Sequence, residues 1–331
     1  QKFYVSLCVI WALGIGFLKV FLAPIRSYVQ GGQYRSKSYV QIDGKIAVIT
    51  GGVSGPEIAV DLARRGAKVI VGMENAAVDG QKLIEEIADR TGNTNVVVLE
   101  LNVTSFASVR TFVQNIRQQE DHLDILINSA GTIKLGTDDD GIERILKNHY
   151  GHFLLTLHLL DLVKKSSSSR IINLSSKLHK YSRKFWDNKP HTSKAWDSCP
   201  FRRYLQCELA SVIFTNILDR KLPSTTVNCY HEGYTAQQLL PKFIVGMMSS
   251  PLEFFFKTPR SAAQTAIRLA VDPDLAEVSG KFFSDCEKID ASDVANNNEA
   301  AEWLWKNSLE VTGVGAEDLP IFRECPEFKE F

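Results

Sequence analysis

The 331 residues carry 38 Lys and Arg against 38 Asp and Glu, so the formal charge is zero and a basic nucleic-acid-binding surface is excluded as the organising feature. With 44% hydrophobic residues the chain can bury a sizeable core, and its length suits one large α/β domain. The six cysteines, at 8, 199, 207, 229, 286 and 325, show neither Cys-x-x-Cys nor a His spacing for zinc. They read as unpaired thiols of a reducing compartment, and no metal site is expected.

Residues 3–18 contain no charge, and after Lys19 the apolar run resumes to Ile25. Together that is about the length needed to cross a bilayer, and Tyr4 and Trp11 suit its interfaces. A cleaved signal peptide is the alternative, but no small-x-small cleavage site follows. Arg26, Arg35 and Lys37 follow the run, against Lys2 before it, so the positive-inside rule puts the rest of the chain on the cytosolic side. The expected organisation is a single-pass membrane anchor over 1–26, a polar linker over 27–43, an α/β domain over 44–313 and a tail over 314–331.

Strand-like apolar runs are expected at 46–50, 67–72, 95–101, 123–128, 170–174, 225–230 and 281–283. Helical periodicity is expected at 56–65, 78–90, 105–118, 140–164, 204–221, 258–270 and 297–310. Strands alternating with helices predict a doubly wound parallel sheet, the three-layer Rossmann-type α/β fold. Between the first strand and first helix lies Thr50-Gly-Gly-Val-Ser-Gly55. Glycines there allow close backbone approach, and the helix start behind them offers free N–H groups to an anion. Pro56 is compatible with a first helical turn. The glycosylation sequons at Asn102 and Asn173 fall at the ends of buried strands, which argues against modification. Residues 237–256 are apolar and irregular. They read either as a surface helix packed on the core or as a lid over a lipophilic ligand.

A glycine turn alone is a weak signal. It gains weight from Ile125-Leu-Ile-Asn-Ser-Ala-Gly131, Asn148, Asn173-Leu-Ser-Ser176 and Tyr204. With these, the chain resembles a short-chain dehydrogenase/reductase from about Gln41 to about Gly313. Ser279-Gly-Lys-Phe-Phe-Ser-Asp-Cys286 and the stretch Asn296 to Trp305 resemble the retinol dehydrogenase branch. The resemblance implies hydride transfer between NAD or NADP and a lipophilic alcohol or carbonyl, an endoplasmic reticulum membrane, and a homodimer through the active-site helix. It implies that Tyr204 exchanges the hydroxyl proton, that Ser176 holds the substrate oxygen, and that Asn148 supports a relay water. It implies cofactor contacts from Gly51, Gly55, Glu74, Asn102, Val103, Asn128, Ala130, Gly131 and Gly233, with the Glu74 carboxylate favouring NAD over a 2′-phosphate.

Several positions depart from the family pattern. Glu208 stands one helical turn after Tyr204, where the family has the Lys that lowers the tyrosine pKa. An Ile-Gly pair is missing after Gly55, which brings the Glu57 carboxylate to the helix start, where it would repel a pyrophosphate. Asn102 replaces an Asp, Ser129 replaces the second Asn of Asn-Asn-Ala-Gly, and His231-Glu-Gly233 replaces His-Pro-Gly. Two functions follow as expectations: a membrane-anchored oxidoreductase of weakened activity, or an inactive member retained as a lipid-binding or scaffold module.

Overall fold

The computed structural model describes residues 26–34, 39–131, 144–182, 200–236 and 255–315. The apolar run 3–25 and residues 237–254 lie outside the described residues. Among the described residues no helix is long and apolar enough to cross a membrane.

Eight strands form one sheet in the order β3-β2-β1-β4-β5-β6-β7-β8. They are β1 (Ile46–Ile49), β2 (Lys68–Met73), β3 (Val96–Glu100), β4 (Ile125–Asn128), β5 (Ser169–Ser175), β6 (Thr225–His231), β7 (Phe282–Ser284) and β8 (Glu287–Ile289). The pairs are parallel except β7 with β8, which is antiparallel. Among the described residues, seven helices cover the sheet: α1 (Gly55–Arg64), α2 (Ala76–Thr91), α3 (Phe106–Gln119), α4 (Arg144–Lys165), α5 (Pro200–Lys221), α6 (Pro259–Val271) and α7 (Asn298–Thr312). This is the expected Rossmann-type fold. β8 is an element that the sequence pattern did not give.

Period-2 alternation along the strands separates two apolar layers. Val48, Ile70, Leu126, Ile171 and Phe282 face α3, α4, α5 and α7. Ile49, Val71, Ile127, Ile172 and Phe283 face α1, α2 and α6. Each such side chain contributes roughly 1.5–3 kcal/mol on burial. Because both faces are covered, the strands read as continuous apolar runs rather than alternating ones. The helix starts are fixed locally. Ser105, Thr258 and Asn297 accept from the backbone N–H three residues on, capping α3, α6 and α7. Gly92 and Gly313, both at positive φ, end α2 and α7.

The sheet reverses direction of growth between β1 and β4. The carboxyl ends of β1, β4, β5 and β6 therefore surround one crevice, where ligands of open α/β sheets bind.

Candidate functional site

Ser176 follows β5 directly, and Tyr204 lies in the second turn of α5. The Tyr204 hydroxyl is within hydrogen-bonding reach of the Ser176 hydroxyl and of the Glu208 carboxyl. The structure thus brings together the serine, the tyrosine and the glutamate that the sequence singles out. Ser175 Oγ donates to the Glu208 carbonyl at 2.9 Å and ties α5 to the end of β5. Asn148, in α4, is partly buried beside Gly131, where an added Cβ would lie 3.9 Å from Asn148 Nδ2.

Burial, then the nearby Glu232 carboxylate, raises the Glu208 carboxyl to about pKa 8. At neutral pH Glu208 is therefore mainly a neutral acid, not the anion that its residue type suggests. Tyr204 is raised far above the ordinary phenol value, first by burial and then by Glu208. The position one helical turn after Tyr204, occupied by Glu208, supplies no cation, and both groups hold their protons at neutral pH.

The glycine turn is bound to the end of β4. Thr50 Oγ1 accepts from the backbone N–H groups of Ser129 and Ala130, each at 2.9 Å. Its own proton then goes to His152 Nε2 at 2.9 Å, since burial lowers His152 to about pKa 4 and keeps it neutral. Ser129 Oγ donates to the Gly51 carbonyl at 2.6 Å. Gly52, at φ +82°, lies so close to the Ser129 carbonyl that a Cβ would collide with it.

The remaining expected cofactor residues divide. Glu74 is exposed just beyond β2. Asn102 Oδ1 accepts from Thr104 N and Thr104 Oγ1, so its oxygen is committed to its own loop. Val103 is buried with its carbonyl against Gly151 of α4. Asn128 is buried and donates to Thr156 and Asn173, joining β4 to β5 and α4 beneath the crevice. Gly55 is unstrained and uncrowded: an added Cβ would lie 3.8 Å from its nearest neighbour, the Ile49 side chain. Gly233, at φ +94°, lets the Lys257 side chain pass against the backbone.

The expectation for Glu57 is corrected. Glu57 does lie in the first turn of α1, but its carboxylate is taken by Arg90 of α2 at 2.8 and 2.9 Å. The carboxylate at the turn is Glu232, which is buried and accepts from Ser54 Oγ at 2.5 Å. The departure of His231-Glu-Gly233 from the family pattern was the signal for it. A second group that sequence reasoning missed is Asp285, which pairs with Lys257 at 2.7 Å and Lys177 at 3.0 Å, beside Ser176.

The family model for short chain dehydrogenases matches residues 45–195. Over 309 residues the chain is 36% identical to retinol dehydrogenase 12 of Bos taurus, covering 91% of this chain and 96% of that protein. The chain belongs to the short-chain dehydrogenase/reductase family, on its retinol dehydrogenase-like branch. It is also 38% identical to retinol dehydrogenase 14 of Mus musculus over 294 residues, covering 82% of this chain and 86% of that one. Among solved structures, an uncharacterized protein of Mycobacterium paratuberculosis matches with a TM-score of 0.66 at 23% identity, covering 85% of this chain and 98% of that one. A short-chain dehydrogenase of Shigella flexneri 2a, complexed with NADP, matches with a TM-score of 0.59 at 20% identity, covering 76% and 100%. These two likenesses concern the fold.

Short-chain dehydrogenases place a dinucleotide in this crevice, with its pyrophosphate against the helix that follows the glycine turn. In this chain the turn lies on the β4 backbone, a buried carboxylate is bonded to Ser54, and Glu208 replaces the cation. As arranged, these residues do not fit the group.

Proposed function

We propose that this chain is a membrane-attached retinol dehydrogenase-like protein that binds a lipophilic small molecule and has lost most or all of its hydride-transfer activity. The observation that carries the reading is Glu208. It sits one turn beyond Tyr204, is protonated at neutral pH, and helps to raise the tyrosine pKa where an active member requires it lowered. General acid–base assistance of that kind is typically worth about 10²–10⁴-fold.

Ligand binding is supported by the aromatic side chains on the elements around Ser176 and Tyr204. Tyr181, Phe201, Tyr234 and Phe255 are all exposed. Tyr181 ends the 3-10 turn after Ser176, Phe201 lies three residues before Tyr204 on α5, and Tyr234 packs on His231. Exposed aromatics on the elements that carry Ser176, Tyr204 and His231 suit an apolar ligand. Membrane attachment through residues 1–26 would supply such a ligand locally.

A second reading, a slow oxidoreductase on retinoid- or steroid-like alcohols, draws support from the retained Ser176 and Tyr204, whose hydroxyls lie close enough to interact. Turnover assays on the full chain in detergent, with retinol or retinal and millimolar NAD(H) or NADP(H), separate the two. The expected result is no rate above background, with retinoid still bound by fluorescence titration. Glu208→Lys is expected to raise the rate at least tenfold. A rate for the unmodified chain comparable to retinol dehydrogenases would overturn the proposal.

A further inference from the structure

Glu232 distinguishes the glycine turn from an open anion site. Ser54 is fully buried at the N-cap of α1, yet its side chain makes no capping bond within that helix. It donates instead to Glu232 Oε2 at 2.5 Å. Glu232 is only 2% exposed and comes from the loop after β6, 178 residues away in sequence. Tyr230, two residues earlier and on the same face, places its phenol beside Ser54, Ser129 and this carboxylate. The other acid of the first turn, Glu57, is taken by Arg90. Pro56 removes one N–H from that turn, which leaves fewer donors for any external anion. A carboxylate at a helix start is favoured by the unpaired N–H groups and the positive dipole end. At the start of α2 a carboxylate from a neighbouring strand takes the backbone N–H groups themselves: Glu100 accepts from Asn75 N and Ala76 N at 3.1 and 2.8 Å, whereas Glu232 is held at α1 through the Ser54 hydroxyl.

We infer that Glu232 is the internal anion of the α1 turn and competes directly with a dinucleotide pyrophosphate for it. On this view the missing cofactor affinity comes from a carboxylate supplied by the chain itself, and not only from the shortened turn. The inference deepens the proposed loss of activity, because the residue that excludes the cofactor is distinct from the residue that disables Tyr204. It predicts a specificity determinant: one substitution remote in sequence from the glycine turn, but in contact with it, restores part of its anion binding.

The test is calorimetric titration of NADH into the full chain in detergent and into Glu232→Gln and Glu232→Pro, with each fold checked by circular dichroism. The unmodified chain is expected to bind no tighter than millimolar. Both variants are expected to bind at least tenfold tighter, and inorganic pyrophosphate should compete. Glu232→Asp, which keeps the charge but draws it back by one methylene, is the fallback should either variant not fold, and a smaller gain is expected there. Equal affinities across the folded variants, or micromolar NADH binding by the unmodified chain, would overturn the inference. The proposed function is judged by turnover of the unmodified chain, so the two readings fail on different measurements.

Discussion

Glu208 links protonation to stability at a single residue. Its folded pKa of about 8 lies above the ordinary carboxylate range, because burial and the Glu232 carboxylate both disfavour the charge. Between about pH 5 and pH 8 the folded chain holds a proton at this site that the unfolded chain has released. The unfolded state then binds fewer protons, so stability falls as pH rises through that window. Glu208→Gln keeps the neutral hydrogen-bonding shape and removes the titration. It is expected to change stability by less than about 1 kcal/mol at pH 5 and to raise it by about 3–5 kcal/mol at pH 8. Urea denaturation of both proteins at the two pH values measures this, and parallel pH profiles would contradict it. The residue type was legible in the sequence as a departure from the family's lysine. Its protonation was not, since that depends on burial and on Glu232, 24 positions further on.

The glycine turn and the first helix show what one element demands of its residues. Gly51, Gly52 and Gly55 look alike in sequence, and a phosphate cradle would use all three. In the structure Gly52 is needed by the protein itself. It has φ +82° and no room for a Cβ against the Ser129 carbonyl, whereas Gly55 has ordinary space around it. Gly52→Ala is therefore expected to destabilise the fold by about 1–3 kcal/mol. Gly55→Ala, within the first turn of α1, is expected to be neutral or to stabilise by about 0.4–1 kcal/mol. Thermal melts of the two variants check the contrast, and equal losses would show that the turn is held differently. Elements made of apolar runs, such as Ile46–Ile49 and Ile125–Asn128, were readable because the sheet buries both faces. β8 was not, since Glu287-Lys288-Ile289 is short, charged and half in solvent at an edge. Spacing places Glu57 in the first turn of α1 but gives no sign of what Glu57 and Glu232 bond, because their partners Arg90 and Ser54 are tertiary neighbours.

At the scale of the whole molecule, one hub joins the chain before the domain to the crevice. Gln30 donates to the Phe256 carbonyl at 2.9 Å and accepts from Thr258 and Ser261 at the start of α6. Gly31 and Gly32 pass so close to Asp285 that a Cβ on either would collide with it. Asp285, in the β7–β8 turn at φ +54°, holds Lys257 beside Gly233 and Lys177 beside Ser176. The segment after the N-terminal apolar run, the root of the 237–256 stretch and the Ser176 loop thus share one anchor. Desolvation works against the Asp285 charge, but its two lysines outweigh it and depress the pKa. Its contribution is accordingly present above the ordinary aspartate range and lost as pH falls below it. Asp285→Asn isolates the charge, because asparagine tolerates positive φ. It leaves the nearly buried Lys257 ammonium without its counter-ion. The expected cost is about 1–2 kcal/mol at pH 7, below that of a fully buried pair because Asp285 is itself partly in solvent. The gap between the variant and the parent should begin to narrow as pH falls through the ordinary aspartate range and should close only towards the depressed folded pKa. If the hub couples these segments, limited proteolysis of Asp285→Asn will cut near residues 26–34 and near Lys257 together. Cleavage confined to one of them would show that the strap and the crevice are held independently.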